Sequence, residues 1–129
     1  MADERYARGL EIRRKVLGDA HVDRAAANEN ELTRDFQRFI TETAWGSVWT
    51  RPGLDVKTRS MLTLAMLAAL GRHEELRLHV RATRNTGVTR EEIVEIVIQC
   101  AIYAGVPAAN SALACVQEAL ASLETEDSR

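Results

Sequence analysis

The sequence predicts an all-α fold: one domain over residues 1–129, built as a helical bundle of about six helices. Three observations carry that expectation. Seven glycines and two prolines among 129 residues make about 7%, where roughly 12% is usual. The stretches between these breakers repeat apolar residues at helical spacing. No stretch of useful length alternates apolar and polar residues as a half-buried strand must. A chain of this size has room for one ordinary core.

The elements follow in order. From about Glu4 to Leu17 an Arg-rich amphipathic helix carries Tyr6, Leu10, Val16 and Leu17 as its apolar members, and residues 1–30 as a whole read as a packing segment. Asp19 to Glu31 is polar and reads as a connection. A helix from about Thr33 to Ala44 places Phe36, Phe39 and Ile40 on one side, and Trp45-Gly46-Ser47-Val48-Trp49 ends it. After the Pro52-Gly53 turn, Asp55 suits an N-cap for a helix reaching Leu70. From Met61 to Leu70 Thr63 is its only polar residue, the pattern of a helix buried all round.

The next helix runs from about Arg72 to Thr86 and stops at Gly87, a residue free to adopt the left-handed conformation. Thr89-Arg90-Glu91-Glu92 reads as a capping box and starts a helix with two apolar stripes. One holds Ile93, Ile96, Val97, Cys100, Ala101 and Ala104; the other holds Val94, Ile98 and Ile102. Two stripes require two burial partners, and the second predicts another subunit. Pro107 opens the last helix, which carries Leu113, Val116, Leu120 and Leu123, with residues 124–129 expected to fray.

Composition excludes several classes. Lys plus Arg at 17 against Asp plus Glu at 19 leaves a net charge of −2, without the basic field of a nucleic-acid binder. No window supplies the roughly 18 consecutive apolar residues of a membrane span, and Met1-Ala2-Asp3-Glu4-Arg5 lacks a signal peptide's apolar stretch. The expectation is a cytoplasmic protein without nucleic-acid or membrane partners. Cys100 and Cys115, fifteen residues apart, form neither a disulfide framework nor a four-ligand zinc site, and read as buried thiols.

The chemistry concentrates between Arg72 and Arg84. On a wheel of about 100° per residue, Glu75 and His79 fall within the apolar arc of Leu76, Leu78, Val80 and Ala82. His73, Glu74, Arg77, Arg81 and Arg84 fill the remaining, solvated sector. A carboxylate and an imidazole at i and i+4 are close enough to hydrogen-bond. Turned inward, they are either a proton-transfer pair tuned by burial or a satisfied pair that fixes helix packing. The zinc motif H-E-x-x-H fails, because Arg77 stands where its second His belongs. Arg59 shares a face with Leu62, Thr63 and Met66; its guanidinium requires an anion there, either Glu75 or a substrate carboxylate held by two parallel hydrogen bonds. Arg51, beside Trp49 and Pro52, is a second candidate anion ligand. No Gly-rich phosphate loop and no Ser or Cys nucleophile motif is present.

Trp45 to Leu54, Lys57-Thr58-Arg59-Ser60, Glu74-Glu75-Leu76-Arg77-Leu78-His79, Asn85 to Ile93, and Tyr103-Ala104-Gly105-Val106-Pro107-Ala108-Ala109 together resemble the 4-carboxymuconolactone decarboxylases. The resemblance implies the helical fold of the alkylhydroperoxidase-D-like superfamily and a homohexameric ring. Redox members of that superfamily carry a C-x-x-C pair with a His four residues later. Here those positions are Arg72, Glu75 and His79, so the His is kept and both thiols are missing, which disfavours peroxidase chemistry. The implied reaction releases CO2 from 4-carboxymuconolactone, a small dianionic lactone, in the protocatechuate branch of the β-ketoadipate pathway, and gives β-ketoadipate enol-lactone. The lactone carbonyl accepts the electrons, so no cofactor and no metal is expected. In this reading Arg59 and Arg51 hold the anionic groups, His79 delivers the proton, Glu75 orients it, and Met66 and Trp49 form apolar walls. The alternatives are a related cofactor-free decarboxylase or lactone-processing enzyme on the same scaffold, and a non-catalytic oligomer that binds a small acid.

Overall fold

A computed structural model describes residues 2–127. They form eight α-helices and one π-helix, with no strand among the described residues. The fold class is as the sequence predicts, and the helix count is higher than six. The chain divides into two compact units, Met1–Val56 and Lys57–Arg129.

In the N-terminal unit, α1 spans Ala2–Leu17 and α2 spans Asp19–Ala27. The second helix falls within the stretch expected to be a connection. Gly18, at φ +91°, makes the break that a side chain would strain, and beyond it Val22 is buried while Ala25 to Ala27 favour helix. A polar sequence therefore forms a helix on a single buried anchor. Asn30 then closes a turn by accepting the Leu32 and Thr33 amides on its side-chain oxygen.

Helix α3, Arg34–Ile40, continues directly into a π-helix over Thr41–Trp49, so the Trp45 to Trp49 segment prolongs the helix instead of ending it. Ser47 Oγ donates to the Glu42 carbonyl five residues back, and Trp45 and Trp49 stack with ring centroids 4.9 Å apart. The backbone of α1 lies directly against this wide turn. A Cβ on Gly9 would stand 2.0 Å from the Thr41 carbonyl oxygen, and one on Gly46 would stand 2.3 Å from that of Arg5. Phe36 and Phe39 are exposed.

The C-terminal unit consists of α4 (Val56–Leu70), α5 (His73–Arg81), α6 (Thr83–Thr86), α7 (Arg90–Tyr103) and α8 (Val106–Asp127). Its core is continuous and aliphatic: Leu64 and Ala68 from α4, Leu76 and Val80 from α5, Ile93 and Cys100 from α7, and Ala112, Cys115, Val116 and Ala119 from α8. Both thiols are buried and free. The capping box forms as expected, with Thr89 accepting from the Glu92 amide and Glu92 from the Thr89 amide. Gly87 ends α6 at φ +86°.

Three expectations for this unit change. Helix α4 is not buried all round: Ser60, Leu64 and Ala68 face inward, whereas Leu62, Met66 and Leu70 are exposed. The Arg77 and Arg81 face of α5, with Arg84 of α6 beyond it, is not simply solvated, because these residues meet α8. Arg77 pairs with Glu118 and Arg84 with Glu126, each at 2.8 Å, and Arg81 bonds Glu126 and Ser122. Those pairs, with Arg90 to Glu124 at 2.7 Å, accompany helix through Asp127 where fraying was expected from residue 124; residues 128–129 lie outside the described part. On α7 the two stripes separate as the sequence indicates, with Ile93 and Cys100 inside and Val94, Ile98 and Ile102 outside.

Candidate active site

Four of the six residues singled out from the sequence lie in the C-terminal unit. Arg59 sits beside Ser60, which is fully buried, and His79 sits beside Val80, which is also fully buried. Each is therefore at the margin of its helix's core stripe and is half-buried. The inner nitrogens, Arg59 Nε and His79 Nδ1, are closed to solvent. A cation and an imidazole drawn this far from water by neighbouring core residues meet an anion with less competing hydration than surface groups would.

The two helices that carry them join one core, through Leu64 and Ala68 on one side and Leu76 and Val80 on the other. The backbone at Arg59 and the side chain of its neighbour each make a hydrogen bond. Thr63 Oγ1 donates to the Arg59 carbonyl at 2.9 Å, and its neighbour Ser60 accepts from Thr86 Oγ1 at 2.9 Å across the buried interior. The sequence reading did not foresee this Ser60–Thr86 bond, although both residues lie in motif blocks it had marked; two small hydroxyls 26 residues apart give no periodic signal.

Glu75 differs from its expectation. It lies on α5 one turn before His79, at the i, i+4 spacing that puts both on one face, but it is exposed instead of inward-facing. The cause is direction: in the first turn of α5, which begins at His73, the buried residue is Leu76, about 100° around the helix from Glu75. A wheel does not show which part of a broad apolar arc meets the core. Met66 shares the Arg59 face of α4, seven residues on, and is 58% exposed.

Trp49 and Arg51 belong to the N-terminal unit. Trp49 is half-buried against Trp45. Arg51 is an exposed residue just past the π-helix whose amide donates to the Val48 carbonyl at 3.0 Å.

An apolar groove of about 470 Å³ also lies in the C-terminal unit, lined by Met61, Leu62 and Ala65 of α4 and by Ile96, Cys100 and Tyr103 of α7. Neither Arg59 nor His79 lines it, and the polar side chains in its wall, Thr58, Gln99 and Tyr103, are uncharged.

The chain is similar in sequence to known proteins. Residues 34–118 match the model of the carboxymuconolactone decarboxylase family. Over 121 residues the chain is 50% identical to a 4-carboxymuconolactone decarboxylase of Acinetobacter baylyi, covering 94% of this chain and 90% of that protein. It is 43% identical over 115 residues to a nitrosuccinic acid decarboxylase of Metarhizium robertsii, covering 89% and 80%. A 4-carboxymuconolactone decarboxylase of Pseudomonas putida matches over 43 residues at 49% identity, covering 33% of this chain and 90% of that sequence.

Proposed function

The chain belongs to the carboxymuconolactone decarboxylase family, and from that premise we propose that it is a carboxy-lyase that converts 4-carboxymuconolactone to β-ketoadipate enol-lactone and CO2 in aromatic catabolism. The observation that carries this reading is the 50% identity to the Acinetobacter enzyme over 94% of the chain.

The reaction needs an electron sink, charge neutralisation and one proton. The bond between the ring carbon and its carboxylate breaks, and the electron pair passes through the adjacent double bond onto the lactone carbonyl oxygen. CO2 leaves, and protonation of the carbon beside the carbonyl gives the enol-lactone. Because the substrate supplies its own sink, the protein contributes binding, stabilisation of the oxyanion and proton delivery. Arg59 is the carboxylate ligand, supported by its half-buried position on α4. His79 gives the proton through Nε2, since Nδ1 is closed to solvent, and Glu75 orients the ring from one helical turn away. Met66, on the Arg59 face of α4, forms an apolar wall against which loss of a charged carboxylate as neutral CO2 is favoured.

The same site logic extends to the second relative. A nitrosuccinic acid decarboxylase acts on a small diacid whose nitro group is also an electron sink. A decarboxylase for a different small diacid is accordingly the second reading. We further read the active form as a cytoplasmic homohexamer. The exposed Val94, Ile98 and Ile102 of α7 and the exposed Leu62, Met66 and Leu70 of α4 support burial against other copies.

Side-by-side kcat/KM measurements on 4-carboxymuconolactone and nitrosuccinate, without added cofactor, separate the readings. The lactone is expected to be preferred by at least about a hundredfold, the scale set by a site built to bind one substrate's polar groups. Preference for nitrosuccinate favours the second reading. Thermal stabilisation by both acids without turnover of either identifies a binding protein.

A further inference from the structure

The N-terminal unit contains a cleft of about 330 Å³, within the range of small-molecule sites. At its wall lies Arg13, only 8% exposed. Its guanidinium donates to Thr41 Oγ1 at 3.3 Å and to Gln37 Oε1 at 3.1 Å, both neutral acceptors. Among the described residues its Nε, which is buried, has no hydrogen-bond partner, and no carboxylate forms an ion pair with Arg13. The Thr41 hydroxyl is itself committed, donating to the Gln37 carbonyl at 2.7 Å. A buried arginine normally has an anion against it, because an unanswered charge away from water is costly.

The other charges of the cleft do not answer it. Arg34 is paired with Asp35 at 3.8 Å, and Arg38 is bound to Glu42 at 2.9 Å with its guanidinium carbon 4.9 Å from the Tyr6 ring centre. Glu29 and Asp35 line the cleft and are exposed. Both oppose negative charge in the cleft, so a ligand with one carboxylate is favoured over a ligand with two. The remaining wall is apolar, from Leu10, Val22 and Ala25. The unmet positive field reaches beyond Arg13. Burial, then Arg13, then Arg24 hold the His21 imidazole below its ordinary pKa, and burial lowers that of Arg13 itself.

We propose that this cleft is a second ligand site, separate from the decarboxylation chemistry, which takes a small monocarboxylate with an apolar body and sets its carboxylate against Arg13. The neutral hydrogen-bond partners hold the guanidinium in place, and the ligand supplies the missing charge. Sequence reading passed over Arg13 because it counted only the apolar members of the first helix. Arg13 nevertheless continues the Tyr6 and Leu10 stripe at the next helical step, and an arginine on an apolar stripe is the same signal that marked Arg59.

Benzoate, uncharged benzamide and inorganic phosphate, titrated calorimetrically into the full-length protein, test the site. Benzoate is expected to bind, with benzamide and phosphate weaker by about tenfold or more, as loss of a charge-assisted hydrogen bond predicts. Ala25→Phe, which fills the cleft without touching a charge, is expected to weaken benzoate by about the same factor, as is Arg13→Gln. Glu29→Gln, at an exposed position, is expected to tighten it. Arg59→Gln is expected to leave benzoate affinity within about twofold, well under the tenfold step that a lost charged contact would cost. Helical circular dichroism shows whether Arg13→Gln folds; Ala25→Phe and Glu29→Gln keep the test open if it does not. Equal binding of benzamide, no binding of benzoate, or loss of binding in Arg59→Gln with Ala25→Phe unchanged would each overturn the proposal. A change of oligomeric mass in Arg13→Gln without change in benzoate affinity would also overturn it, because a carboxylate of a second copy would then be the occupant.

Discussion

The two units of this chain solve the problem of a small interior differently. In the C-terminal unit aliphatic side chains from α4, α5, α7 and α8 close into a continuous core, and the charged residues of α5 and α8 pair at its surface. In the N-terminal unit the closest approach is between backbones, at Gly9 and Gly46, and the interior includes a buried arginine tied to neutral groups. One unit admits only the small hydroxyls of Ser60, Thr83 and Thr86 to its interior and keeps charged and titratable groups at its margin, where Arg59 and His79 lie. The other accepts a full charge inside. The lesson is that a half-buried charge beside an aliphatic core and a buried charge in a polar cleft are different signals, the first suited to reacting groups and the second to holding a ligand.

The contrast can be broken by substitution. The largest expected effect is in the aliphatic core: Leu76→Ala removes a side chain that is 1% exposed and is expected to cost about 3–5 kcal/mol of unfolding free energy, read from urea denaturation. Next is Gly9→Ala, whose methyl collides with backbone and cannot be relieved by a rotamer change; about 3 kcal/mol is expected. Gly53→Ala meets no atom within 4 Å and serves as its control. An equal effect of the two glycine substitutions would show that the contact between α1 and the π-helix is not what holds the N-terminal unit.

His79→Ala sharpens the comparison from the side of function. Turnover is expected to fall by about a hundredfold, equivalent to about 2.7 kcal/mol in the barrier, with oligomeric mass unchanged. Near wild-type turnover would remove His79 from the mechanism.

The smallest effect is electrostatic. Hydrogen bonds from Arg81 and then Arg84 hold the Glu126 carboxyl below its ordinary pKa. A carboxylate whose folded pKa is depressed adds stability above its unfolded pKa, about 4.3, and loses it as pH falls through the folded value. The melting temperature of Glu126→Gln is therefore expected to lie slightly below wild type at pH 7, with the gap closing below pH 4. A gap that is constant with pH would mean that the pair contributes through packing alone.

What the sequence revealed depended on whether a residue's role is local. The Thr89 capping box, the Gly87 stop, the two stripes of α7 and the buried cysteines were all legible, because each is set by residues within a turn or two. Arg59 and His79 were read as inward-facing from the apolar residues that share their helix faces, and the structure leaves both half-buried. Glu75 was misread as inward because a wheel does not show which part of a broad apolar arc meets the core. The π-helix was hidden because a four-residue Trp spacing fits an α-helix equally well, and α2 because one valine is too little for a periodic pattern. Ser60 and Thr86 are joined only by the fold.

The most direct measurement is CO2 released per lactone consumed, by the purified protein after treatment with chelator and without added cofactor. One CO2 per 4-carboxymuconolactone, sustained over many turnovers and largely lost in His79→Ala, is the expected result. Lactone that is bound and stabilises the protein but is returned unchanged would contradict the assignment of this chain as a decarboxylase.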